Sequence, residues 1–214
     1  MDRDFWRQRW EKKETGWHES QPNSLLIRHF PELALPTGSR VFVPLCGKTL
    51  DISWFLSRGC RVAGAELSQS AIEQLFMELG MQPEIAKVGD VEQWSANRID
   101  VFVGDIFALS RDILGPVHAV YDRAALVALP VPMRDRYTAH LMQLTHTAPQ
   151  LLICYEYDQQ AMPGPPFSVN ADEVHRHYDG SYHVTLLERK AVSGGLKGII
   201  PAHESLWRLR VTSR

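Results

Sequence analysis

Cysteine is scarce in this chain of 214 residues: Cys46, Cys60 and Cys154 stand far apart and form no C-x-x-C pair. That excludes a disulfide-stapled scaffold and a zinc ribbon, and it fits a reducing compartment with buried thiols. Long hydrophobic runs are missing too; no segment approaches the ~20 apolar residues of a membrane-spanning helix. The first residues, Met1-Asp2-Arg3-Asp4, are followed by no apolar core. A secretory signal is therefore not expected, and a cytoplasmic location is. There is no excess of either charge: 23 Lys and Arg against 25 Asp and Glu leave −2. Such a balance offers no basic footprint for nucleic acid or an anionic membrane. Metal-ligand spacing is absent among the histidines. His175 and His177 are two apart on a predicted helix and face different ways, and His140 and His146 read as surface residues. No Ser-His-Asp or reactive-cysteine arrangement, repeat, low-complexity tract or interdomain linker stands out. With 44% hydrophobic and 22% charged residues, what remains is one globular domain over 1–214 with a substantial core, and nothing demands more than a monomer.

What is present centres on residues 40–68. R-V-F-V-P-L-C-G is a short apolar run ending at Gly47, K-T-L-D-I-S-W-F-L-S-R-G is helical, and R-V-A-G-A-E-L-S carries a second apolar run ending at Glu66. Strand, turn, helix, strand is one βαβ unit of about thirty residues. In such a unit the first turn and the end of the second strand lie side by side. An acid about twenty residues after the turn glycine is placed there to hold the two hydroxyls of a ribose. Glu66 follows Gly47 by 19 residues; the competing reading is a solvated acid at a strand end.

What the turn lacks selects among nucleoside cofactors. A dinucleotide site needs G-x-G-x-x-G, so that backbone can close on a pyrophosphate at the helix N-terminus. Here Pro44-Leu45-Cys46-Gly47-Lys48-Thr49 contains one glycine. Gly47-Lys48-Thr49 mimics the tail of G-x-x-x-x-G-K-[ST], but the first glycine of that pattern would stand where the chain has Phe42. A strand phenylalanine cannot open the backbone cradle that phosphate oxygens need. A ribose holder without a diphosphate holder fits S-adenosylmethionine, and argues against an NAD-dependent dehydrogenase or a nucleotidase.

Residues 2–12 read as an amphipathic helix with Asp2 a candidate N-cap. Trp6 and Trp10 stand at i and i+4 beside Phe5, with Arg3, Arg7, Lys12 and Lys13 on the other face. A turn at 14–18 adds Trp17. This aromatic segment either packs on the sheet or forms a flap that excludes water from the site; residues 1–35 are expected to be a helical cover. Asn23 or Ser24 caps a short helix over 25–30. Further on, Ser70 and Glu73 make a capping-box pattern before Ile72, Leu75, Phe76 and Leu79, with Gly80 closing the helix.

Residues 84–94 read as an extra strand, an insertion relative to a minimal sheet, and 98–104 as a strand ending at Gly104-Asp105. Another strand covers 118–123. Pro132 begins a helix with Met133, Tyr137, Leu141 and Leu144 on one face, and 151–157 is a strand buried on both faces. Asn170 caps a helix to Tyr178, and two alternating segments, 182–192 and 204–211, form a terminal antiparallel pair. Alternating β and α with a closing hairpin indicates an α/β, doubly wound, Rossmann-like sheet.

In such sheets ligands sit outside the carboxyl ends of the strands. Those ends carry Leu45-Cys46-Gly47, Glu66, Asp105-Ile106 and Asp122-Arg123. Asp105 and Ile106 would border the adenine, although Gly-Asp is also a plain turn. Arg123 can pair with the carboxylate of the methionine moiety, or it can serve as a salt-bridge partner for Asp122 or Glu66. Cys46 reads as a small residue packing a βα junction.

The chain resembles the thiopurine S-methyltransferase family, in its bacterial form. The matching pieces are W-x-x-x-W at Trp6 and Trp10, T-G-W-H at 15–18, V-P-L-C-G-K-T-L-D at 43–51, and G-A-E-L-S at 64–68. They continue with G-D-I-F at 104–107, Y-D-R-A-A-L-V-A-L at 121–129, and P-G-P-P-F at 163–167. The resemblance implies a class I methyltransferase fold, a mostly parallel seven-stranded sheet with a terminal antiparallel strand. It implies cofactor contacts at Trp10, Leu45, Glu66 and Arg123, with Ile106 near the adenine and Trp17 near the acceptor. The loop holding Pro165 and Phe167 would lie close to the acceptor as a second lid. Residues 194–201 do not align clearly with the C-terminal segment that in animal members brings a second arginine toward the acceptor.

The implied reaction is attack of a thiopurine or another aromatic or heterocyclic thiolate on a sulfonium methyl group. Such thiols ionise readily, so no strong general base is required. Selenium or tellurium anions would satisfy the same physics, and a module that binds S-adenosylmethionine without turnover is the alternative of another class.

Overall fold

Every residue of β1 (Arg40–Pro44) is buried, and the strand pleat explains how. Val41 and Val43 point into one apolar cluster, Phe42 into another on the opposite face. A strand hidden on both sides needs helices above and below it, which the crossovers of a parallel sheet supply. The computed structural model describes residues 6, 8–10, 12 and 19–211, and they are built in three such layers.

One helical layer is formed by α1 (Ser24–His29), α2 (Leu50–Ser57) and α3 (Gln69–Glu78). Their Leu25, Leu26, Ile52, Phe55, Ile72 and Phe76 pack on the Val41 and Val43 face. The sheet between the layers contains β2 (Arg61–Glu66), β3 (Glu84–Val88), β4 (Val91–Ala96) and β5 (Ile99–Val103). After α4 (Arg111–Leu114) come β6 (Ala119–Arg123), α5 (Val131–Thr145) and β7 (Gln150–Tyr157). The chain finishes with α6 (Ala171–Tyr178), β8 (Tyr182–Ala191) and β9 (Ala202–Val211). Tyr137, Leu141 and Leu144 of α5, with Val174 and Tyr178 of α6, fill the Phe42 face.

The strand order is β3-β4-β5-β2-β1-β6-β7-β9-β8. β1 pairs in parallel with β2 on one side and β6 on the other. The connections leaving β1 and β6 therefore diverge, and a crevice opens beyond the ends of these two strands.

Nine strands replace the expected seven. The surplus is the β3–β4 pair: residues 84–94, read as one inserted strand, fold back at Gly89 (φ 61°), and β4 turns again at Arg98 (φ 64°) to run antiparallel to β5. Both connections are two-residue turns with a left-handed residue, the geometry of tight hairpins.

The N-cap of α3 also differs. Ser68, not Ser70, accepts a hydrogen bond from Ala71 N, and Ser70 Oγ instead lies 3.0 Å from Ser68 Oγ. Glu73 accepts from Gln69 on the helix surface rather than reaching back to the cap. The helix starts as soon as the chain leaves β2, so the first serine after the strand is the one in extended geometry. Asn23 caps α1 and Asn170 caps α6. Of the predicted helix over 2–12, Trp6 and residues 8–10 are helical. Asp2, Arg3, Phe5, Arg7, Lys13 and the 14–18 turn with Trp17 lie outside the described residues. Among the described residues no helix is long and apolar enough to cross a membrane.

Candidate active site

At the end of β1 the chain reverses through two left-handed residues, Leu45 (φ 46°) and Gly47 (φ 50°). Leu45 is the unusual one, because a side chain in that region costs about 1–2 kcal/mol. Such strain collects at binding sites, and Leu45 lines the main cavity. Glycine at position 47 has a second reason: a Cβ there would lie 2.7 Å from Cζ2 of Trp10. Trp10, only 4% exposed, packs against the turn.

Glu66, at the end of β2, closes the same corner. Its Oε2 accepts from Gly47 N at 2.8 Å and its Oε1 from Ser68 N at 2.9 Å. Burial pushes its carboxyl up from the ordinary carboxylate value, while the Ser68 and Gly47 amides hold it back. Each oxygen keeps further acceptor capacity, and Glu66 lines the cavity.

The same contacts dispose of the phosphate-loop resemblance. The Gly47 amide is already taken by a carboxylate, and Lys48 Nζ is engaged by Glu78 at 2.5 Å. Phe42 is fully buried in the core. Cys46 is buried under β2, so close that a Cβ at Gly64 would meet its sulfur at 2.9 Å. Burial, with Glu66 nearby, pushes its thiol well above the usual range, which makes it inert packing.

β6 supplies the facing wall. Asp122 is fully buried, and burial pushes its carboxyl up to about 6 against hydrogen bonds from Tyr137 and the Leu126 and Ala125 amides. It accepts from Tyr137 Oη at 2.8 Å and from Leu126 N at 3.1 Å. This anchor fixes the segment that leaves the strand through Ala124 (φ 61°), from which Ala124, Val127, Ala128 and Leu129 face the cavity.

Arg123 does not pair with Asp122 or Glu66. Its guanidinium meets Glu19 at 2.5 Å and stands 3.9 Å from Asp51. Burial opposes its charge, but Tyr121, Asp51, Glu19 and Tyr155 around it more than compensate and raise its pKa. Asp51 is itself held by Asn23 N at 2.7 Å and Tyr121 Oη at 3.0 Å.

A short turn, Ile106–Ala108, forms a third side. Asp105 caps it by accepting from Phe107 N at 3.0 Å. Expected at the surface, His140 instead is half-buried, with a ring nitrogen 2.8 Å from the Ile106 carbonyl and its ring 5.4 Å from Phe107. His146 is exposed, at the left-handed end of α5. Arg136 lies over the Phe107 ring at 3.9 Å.

The 163–167 loop contributes Pro165 and Pro166 to the lining. Phe167 turns away from the lining: its amide donates to Val127 O at 2.6 Å and its ring covers Arg134 at 5.6 Å. Arg134, almost wholly buried, donates to Leu129 O at 2.8 Å and Ser168 O at 3.2 Å and pairs with Glu173 at 2.7 Å. It thus ties this loop to the segment after β6.

Together these groups enclose a cavity of about 540 Å³, within the roughly 300–1,000 Å³ of small-molecule sites. Of the residues singled out from the sequence, Trp10, Leu45, Glu66, Ile106, Arg123 and Pro165 line it; Phe167 stands behind it, and Trp17 is outside the described residues. Others were not foreseen: Glu19, Met133, Arg136, Tyr155, Leu196 and Lys197. Tyr155 could have been found by extending the strand-end rule to β7. Nothing local marks Leu196 and Lys197, which arrive from the loop between β8 and β9. Among the described residues no group of three or more His, Cys, Asp or Glu could hold a metal ion. His175 pairs with Asp179 at 2.8 Å, and His177 lies 3.4 Å from both Asp135 and Glu173.

Comparison with known proteins bears on the fold and the family. Among solved structures, a 1,6-didemethyltoxoflavin-N1-methyltransferase from Burkholderia thailandensis, with S-adenosylhomocysteine bound, superposes with a TM-score of 0.68 at 15% identity, over 99% of this chain and 87% of that one. A SAM-dependent methyltransferase from Anabaena variabilis gives 0.61 at 16% identity, over 97% and 95%. The shared fold is that of class I methyltransferases. In sequence, thiopurine S-methyltransferases from Xanthobacter autotrophicus and Gluconobacter oxydans are 55% and 48% identical, over 98% and 95% of this chain and 99% and 93% of theirs. The family model for thiopurine S-methyltransferase matches residues 1–209. With that match over nearly its whole length, the chain belongs to the thiopurine S-methyltransferase family.

Proposed function

We propose that this protein transfers the methyl group of S-adenosylmethionine to the thiolate of a thiopurine or another aromatic or heterocyclic thiol. The observation that carries the reading is the Glu66 carboxylate, pinned by the Ser68 amide and by the Gly47 amide, which it takes from any phosphate at the turn. That donor set fits an adenosyl group and not a dinucleotide. Glu66 would accept the ribose hydroxyls, Ile106 would flank the adenine, Trp10 and Leu45 would cover the sugar, and Arg123 would take the amino-acid end. That cofactor supplies, when bound, a methyl group carried on a sulfonium, which a thiolate displaces with loss of both charges.

The chain's own contribution is enclosure and alignment. The walls expected to face the acceptor are apolar: Val127, Leu129, Met133, Pro165 and Pro166. A dry wall favours a step in which opposite charges disappear, because water stabilises the separated ions more than the dispersed transition state. Alignment of the two reactants can supply roughly 7–11 kcal/mol. No base is required of a thiol that arrives ionised, and this reading places none. Action as a cytoplasmic monomer that detoxifies foreign thiols accords with it.

The test is to incubate the purified protein with methyl-labelled S-adenosylmethionine and a panel of thiopurines, aryl thiols and selenite-derived species. Labelled thioethers are expected from the thiols. Cofactor binding without transfer to any thiol would overturn the assignment.

A further inference from the structure

The corner around Arg123 carries the wrong charge for a simple anion site. Among the described residues, Arg123 and Lys190 bring two positive charges and Glu19, Asp51 and Glu204 three negative ones, so this group sums to −1. Asp51 and Glu204 are buried and committed: Asp51 to Asn23 N and Tyr121, Glu204 to Asn23 Nδ2 and Lys190. Neither lines the cavity. Glu19 does, with its side chain 43% exposed and one oxygen 2.5 Å from Arg123. A carboxylate and a guanidinium thus stand side by side on the cavity wall, backed by further acid. Burial pushes the Glu19 carboxyl up, Arg123 pulls it down, and Glu204 and Asp51 push it up again; a second cation beside it would relieve this.

Resting on the cofactor reading above, we propose that Glu19 is a cofactor-binding residue, which with Arg123 forms a two-ended clamp for a zwitterionic α-amino acid. Glu19 takes the α-ammonium and Arg123 the α-carboxylate. The corner's net −1 complements S-adenosylmethionine, whose sulfonium, ammonium and carboxylate sum to +1, whereas a bare carboxylate ligand would be repelled.

Calorimetric titration separates the possibilities. Wild type and Glu19→Gln are each titrated with S-adenosylhomocysteine, with its deaminated analogue that keeps the carboxylate, and with 5′-methylthioadenosine, which lacks the amino-acid end. The variant is expected to bind S-adenosylhomocysteine about 10-fold or more weakly, the loss expected of a charge-assisted hydrogen bond. 5′-Methylthioadenosine should change by less than about 2-fold, since it lacks the amino-acid end, and the deaminated analogue should bind no more weakly, since it has no ammonium and meets one negative charge fewer. Unchanged or tighter binding of S-adenosylhomocysteine would overturn the clamp and make Glu19 a mere counter-ion that the cofactor displaces. An equal loss for all three ligands would also overturn it, making Glu19 a structural support. If wild type binds none of the three, the cofactor reading itself fails, which is a different result from either.

Discussion

Asp122 offers a test that needs no ligand. Its carboxyl is fully buried, hydrogen-bonded by Tyr137 and backbone amides, and raised from 3.8 to about 6 chiefly by desolvation. A folded-state value above the unfolded one means that folding favours the neutral form. Asp122 therefore stabilises the fold fully below pH 3.8, and that contribution is lost as pH rises through about 6. A shift of about two units corresponds to about 3 kcal/mol.

Asp122→Asn removes the charge and keeps the shape. The amide oxygen can accept from Leu126 N, and the amide nitrogen can donate to Tyr137 Oη, which becomes the acceptor. Urea unfolding followed by tryptophan fluorescence at several pH values measures the difference between the two proteins. Relative to its own value at low pH, the difference from wild type should move in the variant's favour by under about 1 kcal/mol at pH 4 and by about 3 kcal/mol at pH 8. At pH 8 the gain corresponds to a rise of roughly 6–12 °C in Tm for a domain of this size. A difference flat between pH 4 and pH 8 would refute the reasoning, and would mean that Asp122 is hydrated or paired with a cation when the protein is folded.

Three further outcomes follow from the site and its supports. Glu66→Ala should weaken S-adenosylhomocysteine binding by about 1–3 kcal/mol, the cost of a lost hydrogen bond to a charged group; calorimetry showing unchanged affinity would remove Glu66 from the site. Gly47→Ala forces a side chain into φ 50° and 2.7 Å from Trp10. It should cost about 1–2 kcal/mol in backbone strain alone and expose Trp10, read as stronger acrylamide quenching that is absent in a Trp10→Phe background; unaltered quenching would mean the indole does not rest there. Ser68→Ala should destabilise by about 1 kcal/mol, whereas Ser70→Ala should cost well under that. Equal effects in chemical denaturation would return the cap to the capping-box position.

The βαβ unit was legible because its signals are local. Apolar runs, one turn glycine and an acid 19 residues later specify a strand–helix–strand crossover whose handedness is nearly fixed, and that crossover brings the Gly47 turn beside Glu66. The missing glycine at Phe42 was equally informative. Strands buried on both faces, such as 151–157, declared themselves by composition, and so did the helix face at Tyr137 and Leu141. The β3–β4 turn was harder to see, because Val-Gly-Asp-Val in a run of strand-forming residues reads as a bulge as easily as a reversal.

Other features had no local signal. Arg123 stood out as a cation at a strand end, but its partners Glu19 and Asp51 come from the N-terminal segment and from α2. Charge pairing acts over a few ångströms of space, so it depends on which loops converge rather than on their spacing along the chain. The contact of Trp10 with Gly47, the tie of Arg134 between two loops, and the arrival of Leu196 and Lys197 at the cavity have the same origin. By itself the sequence determined the layered sheet, the position of Glu66 beside the Gly47 turn and the lack of a glycine-rich phosphate loop, because periodicity and crossover geometry are properties of neighbouring residues. Only the tertiary structure decided the charge of the corner around Arg123 and which side chains close over it, because those follow from the packing of segments remote in sequence.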